Sequence, residues 1–335
     1  MIISKTPYRV SFFGGGSDYP SWYLKNGGLV ISATINKYIY ISCRSLPPYF
    51  RHKHRISYSK IEQVKEIKHI KHSVVKSLLN NYKTKIKNKG LEIHYDGDFP
   101  SRSGVGSSSA FVVGLINTLS KYYKSKISKK ILADQSLHLE QKVLKETVGS
   151  QDQVAAAFGG FNEIKFYKNG KYQVNNLISD KKQLSELEKR LVLVFVGVRA
   201  KNKKANDIAK SYVSKLNNKK KRNINEIIKH ARKAKKYLLN KDYDSFGRLL
   251  HETWLMKRNL SKSMTTSKID KLYNLGMKNG ALGGKLLGAG SAGYLLFCLK
   301  KGQRNSFLKK FKNNITINIE FENKGSEIIF DDQRH

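Results

Sequence analysis

The segment PSRSGVGSSS, residues 100–109, is the feature that most limits what this chain can fold into. It follows the β-like run LEIHYDGDF and precedes AFVVGLINTLSKYY, whose apolar residues recur at helical spacing without a proline. Gly104 and Gly106 carry no side chain that would hold a ligand away from the backbone. The amides from Val105 to Ser109 can then face an anion at the positive end of the helix dipole. A strand, a Gly/Ser loop and a helix in this order predict a phosphate-binding loop.

Other interpretations of this loop have to be weighed. It lacks the Gly-Lys-Ser/Thr ending of a P-loop, and its GVG spacing is not that of a dinucleotide fingerprint. A Gly/Ser-rich turn can also serve only as a helix N-cap. Two further glycine-rich segments lie beside apolar runs, TPYRVSFFGGGSDYPSWY near the N-terminus and GGKLLGAGSAGYLLFCL near the C-terminus. Three unrelated turns are a poor explanation of this pattern, which favours a ligand site.

The three segments, in this order, resemble the motifs of the GHMP small-molecule kinases. TPYRVSFFGGGSDY, PSRSGVGSSSA and GGKLLGAGSAG span the chain from Thr6 to Gly293. The resemblance implies an α+β chain with the two-lobed GHMP kinase fold and ATP between the lobes. We expect an N-terminal mixed α/β lobe with a ribosomal S5 domain 2-like core over residues 1–185, and a C-terminal α+β lobe over 186–335. The charged run DKKQLSELEKR, which precedes the apolar LVLVFVGV, marks the predicted boundary.

Periodicity supplies a coarse set of elements for both lobes. The alternating, β-branched run LVISATINKYIYISCRS predicts a hairpin or two paired strands. Helices are predicted over 59–85, 105–123, 128–146, 204–216, 222–239, 242–260 and 265–279.

The formal net charge of +39 invites a nucleic-acid interpretation. The lysines, however, are scattered over nearly every predicted helix and loop, and the densest run, KLNNKKKRN, is typical of a solvated turn. We therefore expect no specific nucleic-acid partner. The positive field instead favours anionic small molecules such as ATP and a sugar phosphate.

Neither the apolar runs nor the cysteines indicate a membrane or an oxidising compartment. LVLVFVGV is too short to cross a bilayer, and MIISKTPYRV does not have the pattern of a secretory signal. Cys43 and Cys298 lie in β-like contexts far apart, so two buried thiols are expected. These features predict a cytoplasmic protein without a membrane partner.

Two carboxylates in HLEQKVLKETVGSQDQ are candidates for the chemistry. Phosphoryl transfer needs positioning, a divalent cation, charge stabilisation and a group near the attacking hydroxyl. From the residues alone, Glu140 could be an exposed helix charge paired with a lysine, and Asp152 an N-cap as readily as a catalytic group. The family resemblance implies that Glu140 binds Mg²⁺ and that Asp152 faces the substrate hydroxyl.

The resemblance also implies how ATP is held. Ser108 would reach the Mg²⁺ ion, and Arg9 in the first motif would lie near the substrate oxygen and the γ-phosphate, where a fixed cation offsets developing charge. The residues expected to bind ATP are Ser103, Gly104, Val105, Gly106, Ser107, Ser108 and Ser109.

The first motif carries the expected sugar contacts. Asp18 would accept hydrogen bonds from sugar hydroxyls, although an Asx turn before Pro20 is an alternative role. Ser17, Gly15 and Gly16 are expected beside it. The two glycines stand where many family members carry Glu-His, which leaves a roomier pocket and favours the branch that acts on mannoheptose- and fucose-like sugars.

A substrate phosphate would need a second basic site. In VRAKNKKANDI, Lys203 best matches a basic position of relatives, and its neighbours are Arg199, Lys201 and Lys204. Arg102, beside the glycine loop, is another candidate, while any single lysine of so basic a chain could equally be solvated surface.

The third motif is expected to bring the backbone of the second lobe towards the first. It contains Lys285, Gly288, Gly290 and Gly293, of which Gly288 and Gly290 are expected near the substrate. A tight hairpin turn is the plainer interpretation and is compatible with that role.

Together these features predict an ATP- and Mg²⁺-dependent kinase. The resemblance implies phosphorylation of O1 of D-glycero-D-manno-heptose 7-phosphate to the 1,7-bisphosphate, in the supply of activated heptose for surface polysaccharide. The alternatives are a fucokinase-like anomeric kinase of an unphosphorylated sugar and a GHMP-fold binding protein without catalysis. The sequence leaves open the choice between ATP and GTP and the oligomeric state, with a homodimer as one option.

Overall fold

The computed structural model describes residues 1–332 apart from 83, 85–89, 200–206, 208–216, 259–263 and 289. The strands are β1 (Ile2–Phe13), β2 (Gly28–Leu46), β3 (His54–Ser57), β4 (Ile61–Val64), β5 (Gly90–Gly97), β6 (Phe161–Phe166), β7 (Tyr172–Ile178), β8 (Leu191–Gly197), β9 (Ala281–Leu286), β10 (Gly293–Leu299), β11 (Thr316–Ile317) and β12 (Glu327–Asp331). The helices are α1 (Pro20–Asn26), α2 (Ser73–Asn81), α3 (Ser107–Tyr122), α4 (Lys129–His138), α5 (Gln151–Phe158), α6 (Lys181–Glu188), α7 (Asn218–Leu239), α8 (Tyr243–Arg258), α9 (Ser267–Lys278) and α10 (Arg304–Lys310). A π-helical turn, Leu139–Val143, extends α4.

The larger sheet has eight strands and is organised by β2. Its path is β12-β1-β2-β5-β3-β4, with β6 and β7 attached to β2. The first part of the 19-residue β2 pairs with β6 and the second part with β5, while β1 runs antiparallel to both parts. The prediction of a hairpin in this run is therefore wrong, because the run is one strand and β1 is the partner of most of its length, residues 31–43.

A second sheet of four strands, in the order β11-β8-β10-β9, is built from residues after 190. The last strand, β12, leaves this half of the chain and pairs antiparallel with the start of β1. The predicted boundary near residue 185 stays a prediction.

Two further expectations can be compared with the elements. Cys43 and Cys298 are free and buried, as predicted. In the part of the chain that the structure describes, no helix has both the length and the apolar character needed to cross a membrane.

Helix α3 fixes the position of the glycine loop that precedes it. Its apolar side chains are almost fully buried against β1 and β2. Contact with β1 is close at Gly114, where a Cβ would lie 2.8 Å from Thr6 Oγ1. Ser4 Oγ donates to the Gly114 carbonyl at 3.1 Å, and Thr118 Oγ1 donates to Ser4 Oγ at 2.7 Å. These buried bonds hold the helix in one register on the sheet.

The helix predicted over 59–85 is wrong in its first half. This segment forms β4 and a 3₁₀ turn (Ile67–His69) before α2 begins. Glu62 is buried and accepts hydrogen bonds from the amides of Lys71 and His72 at 2.5 and 3.0 Å. Because this carboxylate satisfies backbone donors of the following segment, the chain folds back instead of continuing as a helix. The helix predicted near 204–216 lies outside the described residues.

The two halves share one hydrophobic core around Phe12. Its ring stacks on Phe161 with centroids 5.3 Å apart and contacts Phe246 of α8 at 5.6 Å. All three side chains are fully buried. A separate apolar cluster, which includes Tyr273 and Phe297, covers the other face of the smaller sheet.

Replacing Phe12 by alanine should lower the free energy of unfolding by about 3–5 kcal/mol, because the cavity would open between the two halves. Urea denaturation followed by tryptophan fluorescence measures this loss. Tyr49→Ala is the matched control, since Tyr49 is 80% exposed and its loss should change stability by less than about 0.5 kcal/mol. Equal stabilities of the two variants would contradict a shared core.

Candidate active site

A cavity of about 800 Å³ opens where the three glycine-rich motifs meet. Its wall is formed by the end of β1, the first glycine loop, the glycine loop before α3, the segment that leads into α5, and side chains from the second half of the chain. The residues of its polar part are Arg9, Ser11, Gly15, Gly16, Asp18, Arg102, Gly104, Gly106, Ser107, Ser108, Ser109, Gln151, Asp152, Arg199, Lys257, Lys285 and Gly288.

Glycines bring the middle and third motifs into backbone contact. Gly104 and Gly106 have φ of +82° and +79°, and Gly106 is the N-cap of α3 in the left-handed region. A Cβ on Gly288 would lie 2.5 Å from the Cα of Gly104, and one on Gly293 would lie 2.2 Å from the Ser103 carbonyl oxygen. Side chains at these positions would separate the loops, so the expected approach of the second half to the first is confirmed.

Arg9 and Asp152 form a bidentate ion pair at the edge of the cavity. Arg9 Nε and Nη2 donate to the two carboxylate oxygens of Asp152 at 2.7 and 2.8 Å, and Nη1 donates to the Gly104 carbonyl at 2.9 Å. Arg9 is 5% exposed, whereas the Asp152 side chain keeps 23% of its surface towards the cavity. Helix α5 has Ser150 at its N-cap, so Asp152 is not the cap. Its carboxylate is held by arginine instead, which suits a group that acts on a ligand.

Asp18 lies beneath the first glycine loop and on the cavity wall. One of its carboxylate oxygens accepts from the Gly16 amide at 2.9 Å, and the other accepts from Gln151 Nε2 at 3.0 Å. Burial raises the pKa of Asp18, and the charge of Asp152 acts in the same direction. A Cβ on Gly149 would lie 2.0 Å from this carboxylate, so that glycine makes room for it. The first motif and α5 are thus tied together by one acidic side chain.

Some residues that we expected to contact ligands lie behind the wall. Ser17 is fully buried, and its hydroxyl donates to the Gly14 carbonyl at 2.8 Å and accepts from the Leu29 amide at 3.1 Å, so it holds the loop rather than a substrate. Gly290 is also buried, and its carbonyl accepts from Arg199. Neither residue borders the cavity, and substrate contact by these two residues stays a prediction.

The middle loop is divided in the same way. Ser103 and Val105 are fully buried, and the Val105 carbonyl accepts from the Arg9 amide at 3.2 Å. Neither residue borders the cavity, and their part in binding ATP stays a prediction. The remaining members of the expected ATP set, Gly104, Gly106, Ser107, Ser108 and Ser109, all border the cavity.

Glu140 lies in the π-helical turn and is fully buried, so it is not an exposed helix charge. Ser109 Oγ donates to its Oε2 at 2.8 Å, and Gln153 Nε2 donates to the same oxygen. Its Oε1 has no partner among the described residues. Burial raises the pKa of Glu140 to about 8. Ser109, and not Ser108, is the serine that reaches this carboxylate, while Ser108 is exposed on the cavity wall.

These residues fit a hard divalent cation. The described residues contain no group of three or more His, Cys, Asp or Glu side chains placed to hold a metal ion. Mg²⁺ does not need such a group, because it commonly takes one or two carboxylates together with phosphate oxygens and water. Glu140 does not itself border the cavity, but its carboxyl group is hydrogen-bonded to Ser109 of the loop and its Oε1 has no partner among the described residues. These donor types suit Mg²⁺.

Two lysines from the second half of the chain complete the polar part: Lys285 is buried, and Lys257 is partly buried. Lys285 Nζ donates to the Phe12 carbonyl at 2.8 Å, and burial lowers its pKa well below the usual value. Lys257 Nζ donates to the Gly288 carbonyl at 3.1 Å, and burial lowers its pKa to about 8. Sequence reasoning missed Lys257, because nothing in the sequence of α8 distinguishes it from the many other lysines of the chain.

Of the predicted basic site, Arg199 and Arg102 border the cavity. Arg199 is 5% exposed, its Nε has no partner among the described residues, and burial lowers its pKa. Lys201, Lys203 and Lys204 lie outside the residues that the structure describes.

The other end of the cavity is aromatic. Tyr58 packs edge-on against His72 with ring centroids 4.9 Å apart, and His72 lies 5.1 Å from Phe111. Tyr95 contacts the same Phe111 ring at 5.5 Å. Sequence reasoning missed this cluster, since Tyr58 and His72 border or fall within the segment predicted as one helix.

Comparison with known proteins agrees with this architecture. Residues 69–160 match the N-terminal domain of GHMP kinases, and residues 234–315 match the C-terminal domain. The chain is also 31% identical over 318 residues to D-glycero-alpha-D-manno-heptose 7-phosphate kinase of Campylobacter jejuni, with 93% of each protein covered. The chain belongs to the GHMP kinase family. Like these relatives, this GHMP kinase is an ATP-dependent sugar kinase with an alcohol group as acceptor.

More distant members share the fold over nearly the whole chain. The bifunctional fucokinase/GDP-fucose pyrophosphorylase of Arabidopsis thaliana is 26% identical to this GHMP kinase, with 95% of this chain and 31% of the plant protein covered. A crystal structure described as a D-glycero-D-manno-heptose 1-phosphate kinase from Bacteroides thetaiotaomicron superposes with a TM-score of 0.80 at 24% identity, covering 99% of both chains. The two-lobed GHMP kinase fold predicted from the motifs is confirmed.

Replacing Lys257 by methionine should stabilise the kinase by about 1–2 kcal/mol at pH 7 while lowering its activity, since a cation held in a desolvated site costs stability. An unfolded lysine keeps its proton up to a pH of about 10, whereas folded Lys257 loses it near pH 8. Between these values the unfolded state binds more protons, so the stability of the wild type rises with pH and the advantage of the variant shrinks.

Urea denaturation at pH 7 and at pH 9.5 checks this expectation. Lys271→Met, which removes an exposed lysine of α9, is the control and should be neutral at both pH values. A Lys257→Met variant that is less stable than the wild type at pH 7 would show that the cation strengthens the fold.

Proposed function

We propose that this GHMP kinase transfers the γ-phosphoryl group of ATP to O1 of D-glycero-D-manno-heptose 7-phosphate, giving the 1,7-bisphosphate. The observation that carries the proposal is the Arg9–Asp152 ion pair, which opens onto the cavity beside the glycine loop. The similarity to the heptose 7-phosphate kinase of Campylobacter jejuni supports the choice of sugar. We assign the reaction to the cytoplasm and to the supply of activated heptose for surface polysaccharide.

In the proposed reaction Asp152 receives the proton of the anomeric hydroxyl. The bidentate contact with Arg9 orients the carboxylate before substrate arrives, so little reorganisation is needed at the moment of transfer. The O1–Pγ bond forms as the bond between Pγ and the β-phosphate oxygen breaks, and ADP leaves. Amides at the N-terminus of α3 face the phosphates, and the charge of Arg9 offsets the negative charge of the transferred group.

Mg²⁺ would be held by Glu140 together with a serine hydroxyl of the loop, for which Ser108 remains the proposal. When bound, the ion neutralises charge on the ATP phosphates. The unpartnered Glu140 Oε1 is the atom that supports this assignment. Ser109 donates to the other oxygen and keeps the carboxyl group in one orientation.

The aromatic and the basic parts of the cavity lining suit different parts of the two substrates. The aromatic cluster of Tyr58, His72 and Phe111 offers ring faces for the adenine base. Arg199, which is buried, and Arg102, which is exposed at the cavity wall, would bind the phosphate on C7 of the heptose, because guanidinium donors favour phosphate oxygens. Lys203 stays part of this proposed site.

The nearest alternative is an anomeric kinase of an unphosphorylated sugar, which the similarity to the plant fucokinase favours. Such an enzyme would make no use of cations far from the reacting hydroxyl. A GHMP-fold protein without catalysis is the other alternative, and the intact pair of Arg9 and Asp152 argues against it.

ADP release with Mg²⁺-ATP should be selective for heptose 7-phosphate within a panel that also holds free heptose, mannose, fucose and galactose. The 7-phosphate should improve kcat/KM over free heptose by at least about tenfold, through its contact with buried arginine. A coupled pyruvate kinase and lactate dehydrogenase assay gives the rates. Preferred turnover of a free sugar would replace the proposed substrate, and no turnover in the panel would favour the binding protein.

Asp152→Asn should keep the fold and the affinity for ATP but lower turnover by about 10²–10⁴-fold, because the amide cannot take the hydroxyl proton. Steady-state kinetics and the thermal midpoint measure the two effects separately. Asp134→Asn, which changes a partly exposed carboxylate on α4, is the control and should behave as the wild type. Normal turnover by Asp152→Asn would exclude Asp152 as the proton acceptor.

A further inference from the structure

Lys257 is a cation of the cavity without a counter-ion in the protein. It lies in the last turn of α8, borders the cavity and is partly buried. Its neighbour Arg258 pairs with Asp270 at 3.2 Å, whereas Lys257 forms no ion pair with any residue that the structure describes. A cation that leaves water without a counter-ion costs free energy. This cost points to an anionic ligand in the cavity as the partner of Lys257.

The position of the ammonium group is fixed beside the phosphate-binding loop. Lys257 Nζ carries three N–H donors, and one is donated to the Gly288 carbonyl at 3.1 Å. No other described residue accepts a hydrogen bond from it. Gly288 is in backbone contact with Gly104, since a Cβ on Gly288 would lie 2.5 Å from the Cα of Gly104. The bond to Gly288 therefore holds Nζ near the loop that would carry the ATP phosphates.

The cations of the cavity form two groups according to the charges that act on them. Burial lowers the pKa of Arg199, and the charge of Arg102 acts in the same direction. Burial also lowers the pKa of Lys257, but the charges that act on it are those of Asp18 and of the bidentate ion pair. Lys257 therefore belongs with the proposed proton acceptor and not with the arginines assigned to the substrate phosphate.

Lys285, the other lysine of this part of the cavity, is less suited to bind an anion. It is 4% exposed and donates to the Phe12 carbonyl at 2.8 Å, and burial lowers its pKa well below the usual value. The pKa of Lys257 falls only to about 8. At pH 7 most of Lys257 is thus protonated, and a bound anion raises its pKa again. Lys257 is the lysine that meets a phosphate as a cation.

We propose that Lys257 is a further catalytic residue, whose ammonium group binds the phosphoryl group while it is transferred from ATP to the acceptor hydroxyl. The inference rests on the proposed function, since it takes Asp152 as the proton acceptor. During transfer, negative charge spreads over the three outer oxygens of the phosphoryl group. Arg9 offsets this charge from the first half of the chain and Lys257 from the second. Lys257 keeps its proton throughout and only donates hydrogen bonds, while the hydroxyl proton goes to Asp152.

Lys257→Met should lower kcat by about 10²-fold, as expected when one donor to the charge of the transition state is lost. The KM values for the sugar and for ATP should stay within about threefold of the wild type, because the contact is made mainly during transfer. Arg258→Met is the matched control: it removes the adjacent cation of the same turn, which does not border the cavity, and should keep kcat within about twofold. Thermal midpoints identify any variant that fails to fold, and Lys257→Arg, which keeps the charge, should retain more activity than Lys257→Met. A kcat of Lys257→Met within about threefold of the wild type would overturn the inference.

Two acceptors distinguish this role from binding of the substrate phosphate. Lys257→Met should lower kcat by the same factor with heptose 7-phosphate and with free heptose. Arg199→Met should instead remove the preference for the 7-phosphate. If Lys257→Met removed that preference and kept the wild-type kcat on free heptose, Lys257 would bind the substrate phosphate and the inference would fail.

Calorimetric titration with MgADP gives a readout that does not depend on turnover. ADP lacks the transferred group, so Lys257→Met should bind MgADP within about twofold of the wild-type affinity. A loss of MgADP affinity as large as the loss of kcat would show that Lys257 binds nucleotide in general, and would overturn the inference.

The same kinetics separate this inference from the proposed function. If the wild type prefers a free sugar of the panel, the proposed substrate is wrong, and a fall in kcat of Lys257→Met on that sugar still supports the inference. If heptose 7-phosphate is phosphorylated equally well by the wild type and by Lys257→Met, the proposed function stands and the inference fails. If the wild type phosphorylates no sugar of the panel, both proposals fail.

Discussion

The ion pair of Arg9 and Asp152 is the interaction on which the site depends. Through its side chain and amide, Arg9 joins β1 to Asp152 at the start of α5 and to the carbonyls of Gly104 and Val105 in the glycine loop. These segments come from distant parts of the sequence, and each is supported separately by the larger sheet and by α3. Loss of the Arg9 side chain would leave the Asp152 carboxylate without its cation and would remove the bond to the Gly104 carbonyl that helps to hold the loop on the strand. The side chain of Arg9 therefore both connects these segments and orients the Asp152 carboxylate.

Desolvation gives the rest of the cavity its character. Burial raises the pKa of Asp18 and Glu140 and lowers that of Lys257, Lys285 and Arg199. Acids and bases are thus shifted in opposite directions, each towards its neutral form. Desolvation of these groups costs free energy. ATP, a cation and a substrate offset that cost when they supply the missing charges and hydrogen bonds. The overall excess of lysine has little part in this, because most of the lysines are on the surface.

The features that the sequence predicts correctly depend on residues that are close together in the chain. The glycines of the middle loop need positive φ and close backbone approach, and both requirements are visible in the residues themselves. The partners of β2 are not visible, because a strand that serves β1, β5 and β6 in turn looks like two shorter strands. The first half of the predicted helix over 59–85 is absent because Glu62 accepts hydrogen bonds from later amides. No periodic pattern in the sequence indicates these bonds. Ser17 lies in the first motif, but its hydroxyl donates to the Gly14 carbonyl within the loop. A motif does not indicate which of its hydroxyl groups bond to the protein itself. The surroundings of Lys257 come from both halves of the chain. No single segment of the sequence therefore predicts them.

The pairing of β12 with β1 has a consequence for how the enzyme is made. Residues 2–5 begin the strand that later carries Arg9, and residues 327–331 pair with their outer edge. During synthesis this edge stays open until residues 327–331 have left the ribosome, and an open strand edge invites pairing with other chains. Strand β12 therefore protects an edge that was made more than 300 residues earlier. A nascent chain that stops short of this strand would expose the edge of the sheet that holds Arg9.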